Sequence, residues 1–97
     1  MNTPLQIAVL DRGFVYVGRC AQADGFLTIS HAACIRRWGT ERGLGQLAIS
    51  GPTSTTRLDP AGTVRAPMTA LIHLIDVTDA AAAAFVQANP GFLSEAA

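Results

Sequence analysis

Three strand-like segments in a row, separated by short turns that end in glycine, restrict this chain to an antiparallel β structure. The segments are Leu5–Leu10, 14–20 and 26–30, and all are rich in β-branched or aromatic residues. The turns between them, 11–13 and 23–25, both place Gly after Asp or Arg, and glycine supplies the positive φ of a tight turn. Because such short connections join antiparallel neighbours, this part of the chain predicts a three-stranded meander.

The rest of the chain alternates further short strand-like and helix-like segments. Residues 70–77 form a strand that is apolar on both faces, so we expect a helix or a neighbouring subunit to cover it. Thr78 and Asp79 are an N-cap signal for an alanine-rich helix that ends before Pro90. Only two of its residues are large and apolar, which predicts weak packing. The other expected elements are a helical turn at 31–34, a short helix at 43–50, and a hairpin of strands 56–58 and 63–65 around the turn 59–62.

Five or six short strands within so few residues predict a mainly β protein built as one small barrel. The pattern of strands, Asp-Gly turn and late aliphatic strand resembles Sm-like and SH3-like barrels over about residues 5–77. The resemblance implies a small barrel with short helices, followed by the C-terminal alanine-rich helix at about 79–89. The chain of 97 residues is expected to form a single domain, 1–97.

Charge is scarce in this sequence. Only 14% of the residues are charged, against about 25% in typical soluble domains, and the formal net charge is zero. A neutral chain is a poor candidate for duplex DNA, where phosphate neutralisation supplies most of the affinity. Low charge on a small protein also indicates that part of its surface is buried, so we expect a homo-oligomer.

The sequence carries no signal for export or for membrane insertion. The N-terminus has no basic segment, and the longest apolar run, 80–86, is far shorter than a membrane span. Cys20 and Cys34 have neither CxxC nor zinc-site spacing, so two free and largely buried thiols are expected. These features predict a cytoplasmic protein that makes no membrane contact.

The segment 35–45 concentrates three arginines, the only tryptophan and three glycines in eleven residues. Arginine offers a planar set of donors that fits phosphate or carboxylate, and glycines let backbone N–H groups approach an anion. Trp38 either stacks on a base or anchors the core, and the arginines either bind a ligand or form an ion-paired rim. The candidate ligand-binding residues are Arg36, Arg37, Trp38, Gly39, Thr40, Arg42, Gly43, Gly45, Thr53 and Thr55.

The sequence offers no catalytic constellation. His73 sits among apolar neighbours and His31 lies near an expected cap, where both are interpreted as structural. The aspartates fall at turns and caps, where Asp is common without any catalytic role. With no nucleophile motif, carboxylate pair or metal spacing, the chain is expected to be no enzyme and to need no cofactor or metal.

The arginine-tryptophan segment also resembles a family of small bacteriophage proteins of unknown function. The shared pattern is IRRWGT at 35–40, GLG at 43–45, GPT at 51–53, LDP at 58–60 and GTV at 62–64, behind an Arg-Gly-Phe turn at 12–14. The resemblance implies a phage origin and a setting in the host cytoplasm during infection, and it implies no activity. The alanine-rich segment after Val77 lies outside the family pattern.

These observations together predict a phage-encoded, non-enzymatic binder of a small anionic nucleotide-like ligand. In a phage, one use for such a binder is the sequestration of a host immune signalling nucleotide in the manner of an anti-defence sponge. Two alternatives stay open. One is an anti-CRISPR-like inhibitor that contacts a host defence protein, and the other is an Sm-like binder of single-stranded nucleic acid.

Overall fold

The computed structural model describes residues 5–88, which form one five-stranded antiparallel sheet with two short helices. The strand order is β4-β3-β2-β1-β5. This architecture confirms the expected mainly β class and is consistent with a small barrel-like fold. The elements are β1 (Leu5–Leu10), β2 (Val15–Ala23), β3 (Phe26–Arg37), α1 (Leu44–Ser50), β4 (Arg57–Pro67), β5 (Leu71–Asp76) and α2 (Asp79–Ala88).

The long strands β2 and β3 bend where their pairing shifts register. The shift lies between Val17 and Arg19 on β2, and His31 of β3 takes a positive φ of 51° close to the same place. Gly18 fits there because it has no side chain: a Cβ atom would lie 2.5 Å from Cγ2 of Ile29. Bulges of this kind increase the local twist and curl a sheet.

The short link between β4 and β5 shows how far the sheet coils. Pro67 pairs with Phe26 at one end of the sheet, whereas Leu71 pairs with Leu10 at the opposite end of β1. Only the 3₁₀ turn Met68–Ala70 joins them. In a flat sheet about nine residues of strand, roughly 30 Å, would separate the two ends. Three residues cannot span that distance, so the outer halves of the long strands must fold back across β1.

Both faces of β1 are buried as a result. Leu5 and Ile7 face a first core that includes Leu47 of α1 and Phe85 of α2. On the opposite face of β1, Ala8 and Leu10 pack into a second core, which lies between the outer halves of the long strands. That second core contains Leu10, Cys20, Leu27, Ile29, Ala32 and Ala66.

The helix α2 is anchored to the sheet through its first turn and through one aromatic residue. The hydroxyl of Thr78 accepts a hydrogen bond from the N–H of Ala81 at 3.1 Å, which confirms the expected N-cap. The same hydroxyl donates to the carbonyl of Ile49 at 2.8 Å and so ties α2 to α1. Phe85 is completely buried. The expectation that this helix packs weakly is therefore wrong, because its Phe85 is a fully buried member of the first core and its Ala81 is fully buried as well.

Two other local expectations are also wrong. Residues 31–34 continue β3 and form no helical turn, since Cys34 pairs with Asp59 across the sheet. The expected hairpin at 56–65 is instead a single strand, β4. Pro60 lies within this strand at the edge of the sheet, which is where sheets tolerate proline.

The apolar strand expected at 70–77 is β5, the other edge of the sheet. Its residue Ile72 is 61% exposed, so no helix covers this part of the strand. Between residues 5 and 88 no helix is long and apolar enough to span a membrane.

The two cysteines are free thiols in different environments. Cys20 is buried in the second core, and Cys34 is half-buried on β3. Burial raises the pKa of the Cys20 thiol to about 11, because the thiolate would lose its hydration. Cys20 is therefore an uncharged core residue at neutral pH.

Gly18→Ala is expected to lower the free energy of unfolding by about 1–3 kcal/mol, because the added methyl group overpacks the bend against Ile29 and the carbonyl of Ser30. Gly45→Ala is the matched control. Nothing lies within 4 Å of a Cβ at Gly45 in α1, so this change should stabilise the protein by up to about 1 kcal/mol. Urea unfolding of both variants measures the difference, and a Gly18→Ala protein as stable as wild type would contradict the account of the bend.

Candidate functional site

Three arginines meet where β3 ends and β4 begins. Arg36 and Arg37 are the last residues of β3, and Arg57 is the first residue of β4. Arg37 and Arg57 lie directly opposite each other in the strand pairing. Together with Asp59, the three arginines line a recess of about 340 Å³, called the arginine recess below.

The charges in the arginine recess do not balance. Its single carboxylate, Asp59, pairs with Arg36 at 3.0 Å. The two side chains are 69% and 53% exposed, so the pair adds little to stability. Arg37 and Arg57 remain opposite each other as like charges, an arrangement that destabilises a sheet when nothing lies between them. The recess therefore has two guanidinium groups for which Asp59 supplies no counter-charge.

The threonine-rich loop before β4 is bound to the two residues that follow Arg37. The hydroxyl of Thr53 donates to the carbonyl of Gly39 at 2.6 Å, and the hydroxyl of Thr56 donates to the carbonyl of Trp38 at 2.7 Å. Thr55 adds a longer bond to Gly39, at 3.3 Å. A Cβ at Gly39 would lie 2.5 Å from the backbone nitrogen of Thr56, so only glycine permits this approach. We call this set of bonds the threonine clamp.

The threonine clamp changes how Thr53 and Thr55 are interpreted. Both were expected to offer hydroxyl groups to a ligand, and in the structure both donate their protons to the Gly39 carbonyl. They hold the loop that begins directly after Arg37. Their contact with a ligand stays a prediction, with only the oxygen lone pairs left to make it.

Trp38 is 42% exposed, so its indole is not part of either core. The ring lies against the loop at Gly43, where a Cβ would be 3.8 Å from Cζ3 of the indole. It follows Arg37 directly in the chain but is not among the residues that line the arginine recess. The interpretation of Trp38 as a core anchor is therefore not what the structure shows.

The remaining candidate residues lie around α1. Thr40 donates its hydroxyl to the carbonyl of Gly43 at 2.7 Å, and the N–H of Arg42 bonds to the side chain of Gln46 at 3.0 Å. The first of these bonds engages a carbonyl, and the second engages one backbone N–H, that of Arg42. Arg42 and Gly45 belong to a separate recess of about 320 Å³, which Gln46, Ile49 and Ser50 complete.

Of the ten candidate residues, only Arg36 and Arg37 line the arginine recess, and the two residues that complete it had been assigned elsewhere by the sequence analysis. Arg57 was placed in a hairpin strand and Asp59 in its turn. No local signal identifies either of them, because their position depends on the pairing of β4 with β3.

The groups with catalytic or metal-binding potential do not form a centre in the described part of the chain. His73 is exposed on the edge strand β5, and His31 is half-buried at the bend of β3. Residues 5–88 contain no group of three or more His, Cys, Asp or Glu side chains that could hold a metal ion.

Comparison with known proteins adds no family assignment to this geometry. No protein-family model matches the sequence, and no curated protein matches it. The likeness to small phage proteins therefore stays a prediction.

Thr53→Val is expected to lower the free energy of unfolding by about 1 kcal/mol, because the Gly39 carbonyl loses its shortest hydrogen bond. Ser54→Ala is the matched control on the same loop, since within residues 5–88 its side chain makes no hydrogen bond; its stability should stay within about 0.5 kcal/mol of wild type. Urea unfolding measures both. Equal stability of the two variants would show that the clamp does not hold the loop.

Proposed function

We propose that the protein binds a small anionic, nucleotide-like ligand in the arginine recess and does not catalyse a reaction. The observation that carries the proposal is the opposed pair Arg37 and Arg57 beside an Asp59 that is already engaged by Arg36. An anion placed between the two guanidinium groups removes their repulsion. It also gains charge-assisted hydrogen bonds, each worth about 1.5–3 kcal/mol.

The size and charge of the recess favour a small ligand over a long polyanion. Its volume of about 340 Å³ lies at the lower end of small-molecule sites, roughly 300–1,000 Å³. The chain as a whole has no net charge, so a polynucleotide would find one compact positive spot and no extended basic track. Guanidinium donors match the geometry of phosphate groups, as they match that of carboxylates, in bidentate contacts.

The biological role that we propose requires only that the protein binds a nucleotide and does not convert it. A protein that holds a nucleotide and leaves it unchanged lowers the free concentration of that nucleotide. If the chain acts in a phage-infected host cytoplasm, as its likeness to phage proteins implies, the nucleotide to be sequestered is a host immune signal. This makes the protein an anti-defence sponge.

We further infer that the protein forms a homo-oligomer through the outer edge of β5. Ile72 is 61% exposed on this edge strand, and the neighbouring His73 is exposed as well. An unpaired edge strand with an exposed aliphatic side chain favours association with another chain. The same surface would serve the alternative function, contact with a host defence protein.

Ile72→Lys is expected to convert the oligomer to a monomer, because a charge on the edge strand opposes pairing with a second copy. Ile49→Lys is the matched control, since Ile49 is 65% exposed but lies on α1. Light scattering at micromolar concentration measures the mass. A monomeric wild-type protein would refute the inference, and the same effect from both variants would place the interface elsewhere.

Arg37→Gln and Arg57→Gln are each expected to weaken binding of ADP and of inorganic pyrophosphate by about 10- to 150-fold, which corresponds to one lost charge-assisted contact. Titration calorimetry measures the affinities, and the fluorescence of Trp38, the sole tryptophan, gives a second readout. Arg65→Gln, exposed near the opposite end of β4 from Arg57, is the charge-matched control and should change neither affinity.

Three results would contradict the proposal. Wild-type protein that binds neither ADP nor pyrophosphate at millimolar concentration would refute anion binding in the recess. Loss of binding in Arg42→Gln alone would move the site to the recess beside α1. Much tighter binding of a single-stranded oligonucleotide, with affinity that falls by orders of magnitude as salt rises, would favour the nucleic-acid alternative.

A further inference from the structure

Two aromatic residues, Phe14 and Tyr16, form a pair at the start of β2. The rings of Phe14 and Tyr16 are parallel to within 5°, with their centroids 6.5 Å apart. Phe14 is 52% exposed, whereas Tyr16 is half-buried and packs against the second core. The ring of Phe14 is thus open to solvent, and the neighbouring ring of Tyr16 is anchored on the second core.

The strand register connects this aromatic pair to the recess. Tyr16 pairs with Cys34, and Cys34 pairs with Asp59. Directly opposed residues project from the same face of a sheet, so Tyr16 and Asp59 lie on one face, two strand spacings or roughly 10 Å apart. When this pairing is extended by two residues beyond Tyr16 and Cys34, Phe14 comes to lie opposite Arg36.

The exposed position of Phe14 is fixed by the backbone around it. The N–H of Leu10 donates to the carbonyl of Phe14 at 2.8 Å, across the turn Asp11–Gly13. Val15 and Val17 point into the first core, so the alternation of β2 directs Phe14 and Tyr16 to the opposite face. The fold therefore holds a large apolar ring at the surface, on the same face of the sheet as Asp59 of the arginine recess.

We propose that Phe14, supported by Tyr16, is the platform on which the base of the ligand stacks while the phosphate groups occupy the arginine recess. The proposal rests on the proposed function and names its ligand class, a mononucleotide or cyclic nucleotide. Sugar phosphates and bare phosphates lack the aromatic ring and bind more weakly. The indole of Trp38 lies against Gly43, so the role of base platform falls to the pair that the register puts beside the recess.

The arrangement of the other aromatic residues favours a single nucleotide over a strand. Phe26 is 42% exposed, but it lies at the opposite end of β3 from Arg37, with the guanidinium of Arg65 5.7 Å from its ring centroid. A single-stranded nucleic acid needs successive platforms along its path. One aromatic pair beside one compact recess fits one base and its phosphates.

The test compares two ligands and two phenylalanine variants by titration calorimetry. Wild-type protein should bind ADP more tightly than inorganic pyrophosphate. Phe14→Leu should weaken ADP binding by roughly 5- to 150-fold, the effect of losing one stacked base, and should leave pyrophosphate binding unchanged. Phe26→Leu is the matched control with a similarly exposed ring, and it should change neither affinity. Circular dichroism checks that each variant is folded.

The outcomes distinguish base stacking on Phe14 from anion binding in the arginine recess. If wild type binds pyrophosphate and ADP equally and Phe14→Leu changes neither, the platform is refuted and anion binding in the recess stands. If Phe14→Leu weakens both ligands alike, the ring acts by supporting the recess, and the platform is again refuted. If wild type binds neither ligand, the proposed function itself fails.

Discussion

The close contact of β2 with β3 at Gly18 is the constraint on which the rest of this structure depends. A Cβ at this position would meet Cγ2 of Ile29 and the carbonyl oxygen of Ser30, so the two strands approach there only because one of them carries no side chain. The bulge lets the long strands curl. Curling brings the end of β4 to within one 3₁₀ turn of β5 and buries β1 on both faces.

A second irregularity, at the other end of β3, creates the charge pattern of the recess. Ile35 pairs with Leu58, and an unbroken register would then place Arg36 opposite Arg57. The shift after Ile35 instead sets Arg37 opposite Arg57, and Arg36 reaches Asp59. Because of this one extra residue in β3, Arg36 forms an ion pair with Asp59, whereas Arg37 and Arg57 lie opposite each other as like charges. Three of the seven arginines come together in a chain with no net charge, which is why a local anion site is a better proposal than a general affinity for polyanions.

The threonine clamp and the aromatic pair give the proposed site its rigidity. The clamp holds the chain just after Arg37 through bonds to two consecutive carbonyl groups. Phe14 is held through its own backbone and through the half-buried ring of Tyr16. A recess whose supporting groups are already ordered loses less conformational entropy when a ligand binds, so more of the interaction energy is available as affinity.

The sequence by itself determined the features that depend on neighbouring residues. Strand propensity and the turns that end in glycine predict the meander and the mainly β class, the break around Gly43 predicts α1, and the hydroxyl of Thr78 predicts the start of α2. It also identified Arg36 and Arg37 as part of the candidate site.

Only the tertiary structure decided that β4 continues through Pro60 and that Arg57 faces Arg37. Residues twenty apart meet there because two strands pair with a one-residue shift. A register of this kind is set by how both strands pack on a shared core, and no local pattern of residues encodes it.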